Sequence, residues 1–298
     1  MYAQILPVLA PVFLITLLGA AWAWLRVPFQ RDFLTLVVMN IGVPCLILNG
    51  TAQLHTDAQL MFRMMGYAVV ALAGSAIIGA TVLKLLGQPL RSYLPAVSFG
   101  NTGNLGLPVC LFAFGQKGLG LAIGFYLVNS VAQFCLAPLL QGREPVLRTL
   151  LTTPVMYAAV LGLGLLGTGT ELPLWLANTV GLLGGMAIPL MMLALGHSLG
   201  SIRVRHLKVA MVIAVTRLLP GLLVAITVIS LFDLRGVTRG VVLLQASMPV
   251  AVFCYLLAAR YDRHPDDVAS AILVSTLIAF AMLPILLWFA LADVAGPG

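Results

Sequence analysis

The chain has 298 residues, of which 61% are hydrophobic and 8% charged, with a mean hydropathy of +1.08. A water-soluble domain carries about a quarter charged residues, so this composition excludes a soluble globular protein and makes lipid the surrounding solvent. The formal charge of +7 comes from 16 Lys and Arg scattered singly between apolar runs. That pattern excludes a basic nucleic-acid-binding stripe and suits topology signals and snorkelling ends.

Runs of about 20 apolar residues predict an all-α integral membrane protein of ten transmembrane helices. In chain order they cover Gln4 to Leu25, Phe33 to Gly50, Met64 to Leu86, Tyr93 to Phe114 and Leu119 to Leu140. The second five cover Leu150 to Gly167, Leu174 to Leu199, Leu207 to Leu231, Val237 to Ala258 and Val268 to Leu291. The first run is too long for a signal-peptide core and lacks a basic leader, so it reads as a retained span. No connection is long enough for a second, soluble domain. Cys45, Cys110, Cys135 and Cys254 fall inside apolar runs without paired spacing, which suits small buried hydrophobes rather than a disulfide or metal framework.

Prolines punctuate the two halves alike. Pro11, Pro44, Pro108 and Pro138 are followed, 141 to 146 residues later, by Pro154, Pro189, Pro249 and Pro284. Gly19 precedes Gly162 by the same interval, and Leu127-Val128-Asn129-Ser130 precedes Leu273-Val274-Ser275-Thr276. The reading is one five-helix unit written twice, residues 1–141 and 142–298. An odd number of spans inverts the second copy, the signature of an inverted-repeat carrier whose site lies where broken helices meet. Loops after odd-numbered spans hold eleven Lys and Arg and loops after even-numbered spans hold four. The positive-inside rule therefore puts both termini outside the cytoplasm.

The fourth span contains Gly100-Asn101-Thr102-Gly103-Asn104-Leu105-Gly106-Leu107-Pro108. Proline lacks an N–H and crowds the preceding turn, and glycines are poor helix formers. Such a stretch is tolerated at membrane depth only inside protein or beside water. It predicts an unwound crossover, with Pro108 in the first turn of the outer half-helix. The ninth span offers the counterpart, Gln245-Ala246-Ser247-Met248-Pro249, weaker in composition. Two antiparallel broken helices would aim unpaired N–H groups and positive helix ends at one small volume, which favours an anion.

These motifs resemble the auxin efflux carrier family. Asn101-Thr102 with Gly106-Leu107-Pro108, Gln245 to Pro249, Ala259-Arg260-Tyr261, His264-Pro265-Asp266, Arg217-Leu218-Leu219-Pro220-Gly221 and Arg235-Gly236-Val237 carry the likeness. The absence of a long central hydrophilic loop is similar to the compact bacterial members, often called malate or dicarboxylate permeases, within a superfamily that includes the bile-acid sodium symporters. The resemblance implies an elevator-type carrier of small organic anions in the bacterial inner membrane. Helices 1, 2, 6 and 7 would form the scaffold and the homodimer contact, and helices 3–5 and 8–10 the moving part. By similarity Asn101 would bind a substrate carboxylate, with Thr102, Gly103 and Asn104 beside it and Gln245 or Ser247 assisting from the second crossover. Gly106, Pro108, Pro249, Pro44 and Pro189 would shape the helices.

Arg217 is the one charge deep within a span, about ten residues in. It reads either as a carbonyl-paired structural arginine or as a cation supporting an anionic site. Asn40, Asn49, Asn129, Gln133 and Asn178 read as interhelical glue, with Asn129 the best candidate for the site. The nine acidic residues and His55, His197, His206 and His264 lie near span ends or in loops. No mid-depth carboxylate offers a sodium or proton site, so neither a metal nor a cofactor is expected. The same absence argues against an intramembrane aspartyl protease, the lack of a mid-span histidine argues against a Ser–His hydrolase, and no enzyme is expected. The alternatives left are a sodium-coupled organic-anion symporter and, with a single compact polar cluster instead of a lined pore, an anion channel.

Overall fold

In a chain this apolar the backbone must satisfy its own N–H and C=O groups, and helices do so within each segment. The computed structural model describes residues 2–52, 58–141 and 153–292, and among them the only strand-like pairing is one isolated bridge. The helices are α1 (Tyr2–Trp24), α2 (Arg31–Val37), α3 (Val43–Ala52), α4 (Ala58–Leu85), α5 (Leu90–Ser98) and α6 (Leu107–Gln141). They continue as α7 (Pro154–Thr168), α8 (Leu174–Ser201), α9 (Leu207–Leu231), α10 (Gly236–Ala246), α11 (Phe253–Arg260) and α12 (Pro265–Ala292). Two π-helical turns, Val38–Gly42 and Thr102–Gly106, lead into α3 and α6.

Seven helical stretches among the described residues are long and apolar enough to cross a membrane, against the ten runs read from the sequence. The difference has local causes. The ninth run is divided into helices of 11 and 8 residues, and the sixth is a 15-residue helix. The C-terminal part of the fourth run joins the fifth as one stretch, Thr102–Cys135, interrupted where Gly115 takes φ 63. Outward faces carry Leu6, Leu14, Leu17, Leu182, Leu223 and Leu231, all more than half exposed, as lipid-facing surface requires.

Proline position explains both π turns. Pro44 and Pro108 each sit one residue inside a helix that follows a π turn. The ring cannot donate to, and crowds, the carbonyl four residues back, at Asn40 and Asn104. The chain widens locally: the Val43 N–H reaches the Val38 carbonyl, and the Gly106 N–H the Asn101 carbonyl at 3.1 Å.

Packing sorts the helices into two groups. α1 lies along α8, and α3 packs on α7 and α8. In the other group α4 packs on α5, α6 and α9, and α12 packs on α9, α10 and α11. Small residues allow the close backbone approach that drives helix association in lipid. Gly19 and Gly196 stand against the Leu193 and Thr16 carbonyls across the α1–α8 contact, and Gly162 of α7 meets the Thr51 hydroxyl of α3.

Candidate functional site

The two interrupted helices meet. α5 ends at Ser98 and α10 at Ala246, and the chain beyond each leaves the helix. Gly100 and Val250 form an antiparallel bridge. The Asn101 N–H donates to the Pro249 carbonyl at 2.7 Å and the Ala251 N–H to the Phe99 carbonyl at 3.1 Å. The open backbone is therefore shorter than expected. Thr102–Gly106, read as unwound, is wound into the π turn, and the non-helical residues are Phe99 to Asn101. Pairing between the two breaks satisfies groups that neither helix can satisfy alone, which lets non-helical backbone exist at this depth.

Side chains from three neighbouring helices secure the crossing. Asn129 of α6 donates from its amide to the Gly100 carbonyl at 3.3 Å. The Val250 N–H donates to the Ser275 hydroxyl of α12 at 3.1 Å. Arg217 of α9, 3% exposed, donates from Nε to the Met248 carbonyl at 3.0 Å, from Nη1 to Ser98 at 3.1 Å and from Nη2 to Ala246 at 3.0 Å. Gln245, fully buried, presses its side-chain oxygen against Gly106, where a Cβ has no room.

In front of the crossing lies a cavity of about 580 Å³. One wall is Gly100 to Asn104, Ala251 to Phe253, and Tyr126, Asn129, Ser130, Gln133 and Phe134 of α6. The facing wall comes from α2 and its π turn (Asp32, Leu34, Thr35, Val38, Met39, Asn40), the start of α7 (Thr153 to Val155) and α8 (Met191, Ala194, Ser198). Thr102 opens the helix that continues into α6, and Phe253 opens α11. First-turn N–H groups have no partner within their own helix, so this wall carries two partially positive helix ends. The Asn101 amide nitrogen and the Thr102 hydroxyl are buried there without a protein hydrogen-bond partner. Buried polar atoms are nearly always paired, so unpaired donors at a cavity wall point to a ligand.

Of the residues read as substrate-binding, Asn101, Thr102, Gly103, Asn104 and Asn129 line this cavity. Gln245, Ser247 and Arg217 lie behind the crossing; Arg217 lines only a water-sized space with Ser75, Ser98 and Asn129. Asn40, Ser130 and Gln133 line the main cavity although the sequence reading gave Asn40 and Gln133 only an interhelical role. The signal for Asn40 was present: it stands four residues before Pro44, as Asn104 stands four before Pro108. Asn129 and Gln133 share one helical face. Of the structural positions, Gly106 and Pro108 open α6, Pro249 lies in the second break, and Pro44 and Pro189 lie in α3 and α8.

Charged side chains gather at the opposite end of the second group. Asp267, buried in the first turn of α12, accepts from the Tyr93 hydroxyl at 2.6 Å and pairs with His206 Nδ1 at 2.6 Å. His197 stacks on Phe29 at 4.1 Å, and His55 lies outside the described residues.

Comparison with known proteins agrees with this architecture. The family described as membrane transport protein matches residues 139–289. The chain is 30% identical over 291 residues to an uncharacterized transporter of Methanothermobacter thermautotrophicus, covering 92% of this chain and 94% of that protein. It is 28% identical over 225 residues to an uncharacterized transporter of Methanocaldococcus jannaschii, 71% of each. With its apolar helices, interrupted spans and crossover motifs, the chain belongs to the membrane transport protein family, that of the auxin efflux carriers, and is an integral membrane transporter.

Proposed function

We propose that the protein carries small organic anions, monocarboxylates foremost, across the membrane by elevator-type alternating access. One observation carries the reading: residues Asn101 and Thr102, with buried unpaired donors, and two helix N-termini lie in the wall of a cavity between two helix groups. A carboxylate would accept from the Asn101 amide and the first-turn N–H groups, bonds strengthened by its charge. Leu34, Val38, Met39, Phe134, Phe253 and Leu256 would enclose an apolar body. Among the described residues neither Lys nor Arg lines the cavity and Asp32 does, so one negative charge is matched better than two.

The group of α1, α3, α7 and α8 is the scaffold in this reading, and the group bearing the crossing moves past it with the bound anion. Three relationships support an inverted repeat of 1–141 and 142–298. Gly19 of the first span meets the seventh span while Gly162 of the sixth meets the second. The two crossovers pair antiparallel. Asn129 and Ser275, equivalent in the repeat, each hydrogen-bond a backbone group of the bridge. A homodimer joined through the scaffold, residence in the bacterial inner membrane and extracytoplasmic termini complete the proposal.

Reconstituted protein tests it. Saturable uptake of labelled monocarboxylates with counterflow is the expected result. Ohmic, unsaturated anion current would identify a channel instead, and flux of neither kind would remove the anion reading.

A further inference from the structure

Arg217 does something that neither its depth nor the cavity requires. Its guanidinium lies where the C-terminal ends of two half-helices converge, and it takes the carbonyls of Ser98 from α5, of Ala246 from α10 and of Met248 just beyond α10. The Val97 carbonyl is a fourth, longer neighbour at 3.5 Å. Helix ends leave such carbonyls without partners and carry partial negative charge. A buried cluster of oxygens of this kind is the coordination that hard cations take, and helix C-termini at a crossover are where carriers of this architecture seat a coupling ion. Here the seat is filled by a side chain. The backbone is shaped to admit it: a Cβ on Gly100 would strike Nη2, and one on Gly221 would strike the Ala246 carbonyl that Nη2 binds.

We propose that Arg217 is a tethered counter-cation, occupying the seat of an alkali-metal ion so that the crossing forms and binds its anion with no coupling ion. Arg217 is on this account a positioning residue. Its planar fork satisfies carbonyls of both half-helices at once, and its charge travels with the crossing. The inference rests on the carrier reading for its role in transport, but its central test uses no substrate.

The test is melting of purified wild-type, R217S and R217K protein in choline chloride against sodium, lithium or potassium chloride at equal ionic strength. Wild-type and R217K are expected to melt at the same temperature in every salt. R217S empties the seat, so it should melt lowest in choline and rise by about 5 °C or more in an alkali-metal salt that fills it. Sodium-dependent melting of the wild type or of R217K overturns the proposal. So does R217S that is no more stable, and no better recovered, in alkali-metal salts than in choline. In proteoliposomes, wild-type carboxylate uptake should persist when sodium is replaced by choline, and uptake lost on that replacement also overturns it. Uptake absent in both salts removes the carrier reading, and the melting comparison still decides this one.

Discussion

Asn129 and Ser275 hold the two sides of one bridge: Asn129 donates to the Gly100 carbonyl, and Ser275 accepts from the Val250 N–H. Asn129 stands on α6, which follows the first crossover, and Ser275 on α12, the second helix after the other. The two positions differ in one respect, since Asn129 lines the large cavity and Ser275 does not.

That difference separates two substitutions. Ser275→Ala leaves a buried N–H unpaired, at a cost of about 1–3 kcal/mol, and should lower the melting temperature without changing the apparent KM. Asn129→Ala should lower both stability and affinity. Equal KM effects in uptake assays would contradict the assignment of Asn129 to the cavity wall.

Asn101→Ala removes a donor with no partner in the protein. Folding should therefore be preserved while carboxylate affinity falls about 10- to 100-fold, the worth of one hydrogen bond to a charged group at about 1.5–3 kcal/mol. Thermal-shift titration with monocarboxylates reads both quantities, and unchanged affinity would separate Asn101 from the binding site.

Gly196→Ala puts a Cβ into the Thr16 carbonyl of α1, whereas Gly185, on the same helix, has open space at that position. Forcing α1 and α8 apart should cost about 1–3 kcal/mol. Gly185→Ala should be neutral or slightly stabilising, because alanine is the better helix former. Melting temperatures of the two variants compare them directly.

Topology is tested with reporters. Fused at the N-terminus, a periplasm-active phosphatase should be active and a cytoplasm-dependent fluorescent protein dark, since Lys and Arg concentrate in the loops after odd-numbered spans. The reverse pattern would invert the proposed orientation.

Much of the architecture was legible in residues 1 to 298 because lipid leaves the backbone few options. Apolar run length announced the membrane helices. Gly100 to Pro108 announced a break because proline and glycine act locally, through a missing N–H and a weak helical preference. The same local chemistry was readable only coarsely at Gln245 to Pro249, where one proline marks the break. It also overstated the unwound length, since the widened π turn at Thr102–Gly106 accommodates Pro108 without losing its helical path.

What the linear chain determined by itself is therefore the solvent, the class of helices and the presence of two weak points in them. Only the tertiary structure decided what those weak points face. Asn101 and Asn129 open onto a cavity, while Gln245 and Arg217, equally polar in the sequence, turn to the back of the crossing. Run length and proline are properties of neighbouring residues, whereas the partner of a freed carbonyl at Ser98 or Met248 comes from a helix more than 30 residues away or from the other half of the chain. Which side chain answers it depends on packing that no local pattern records.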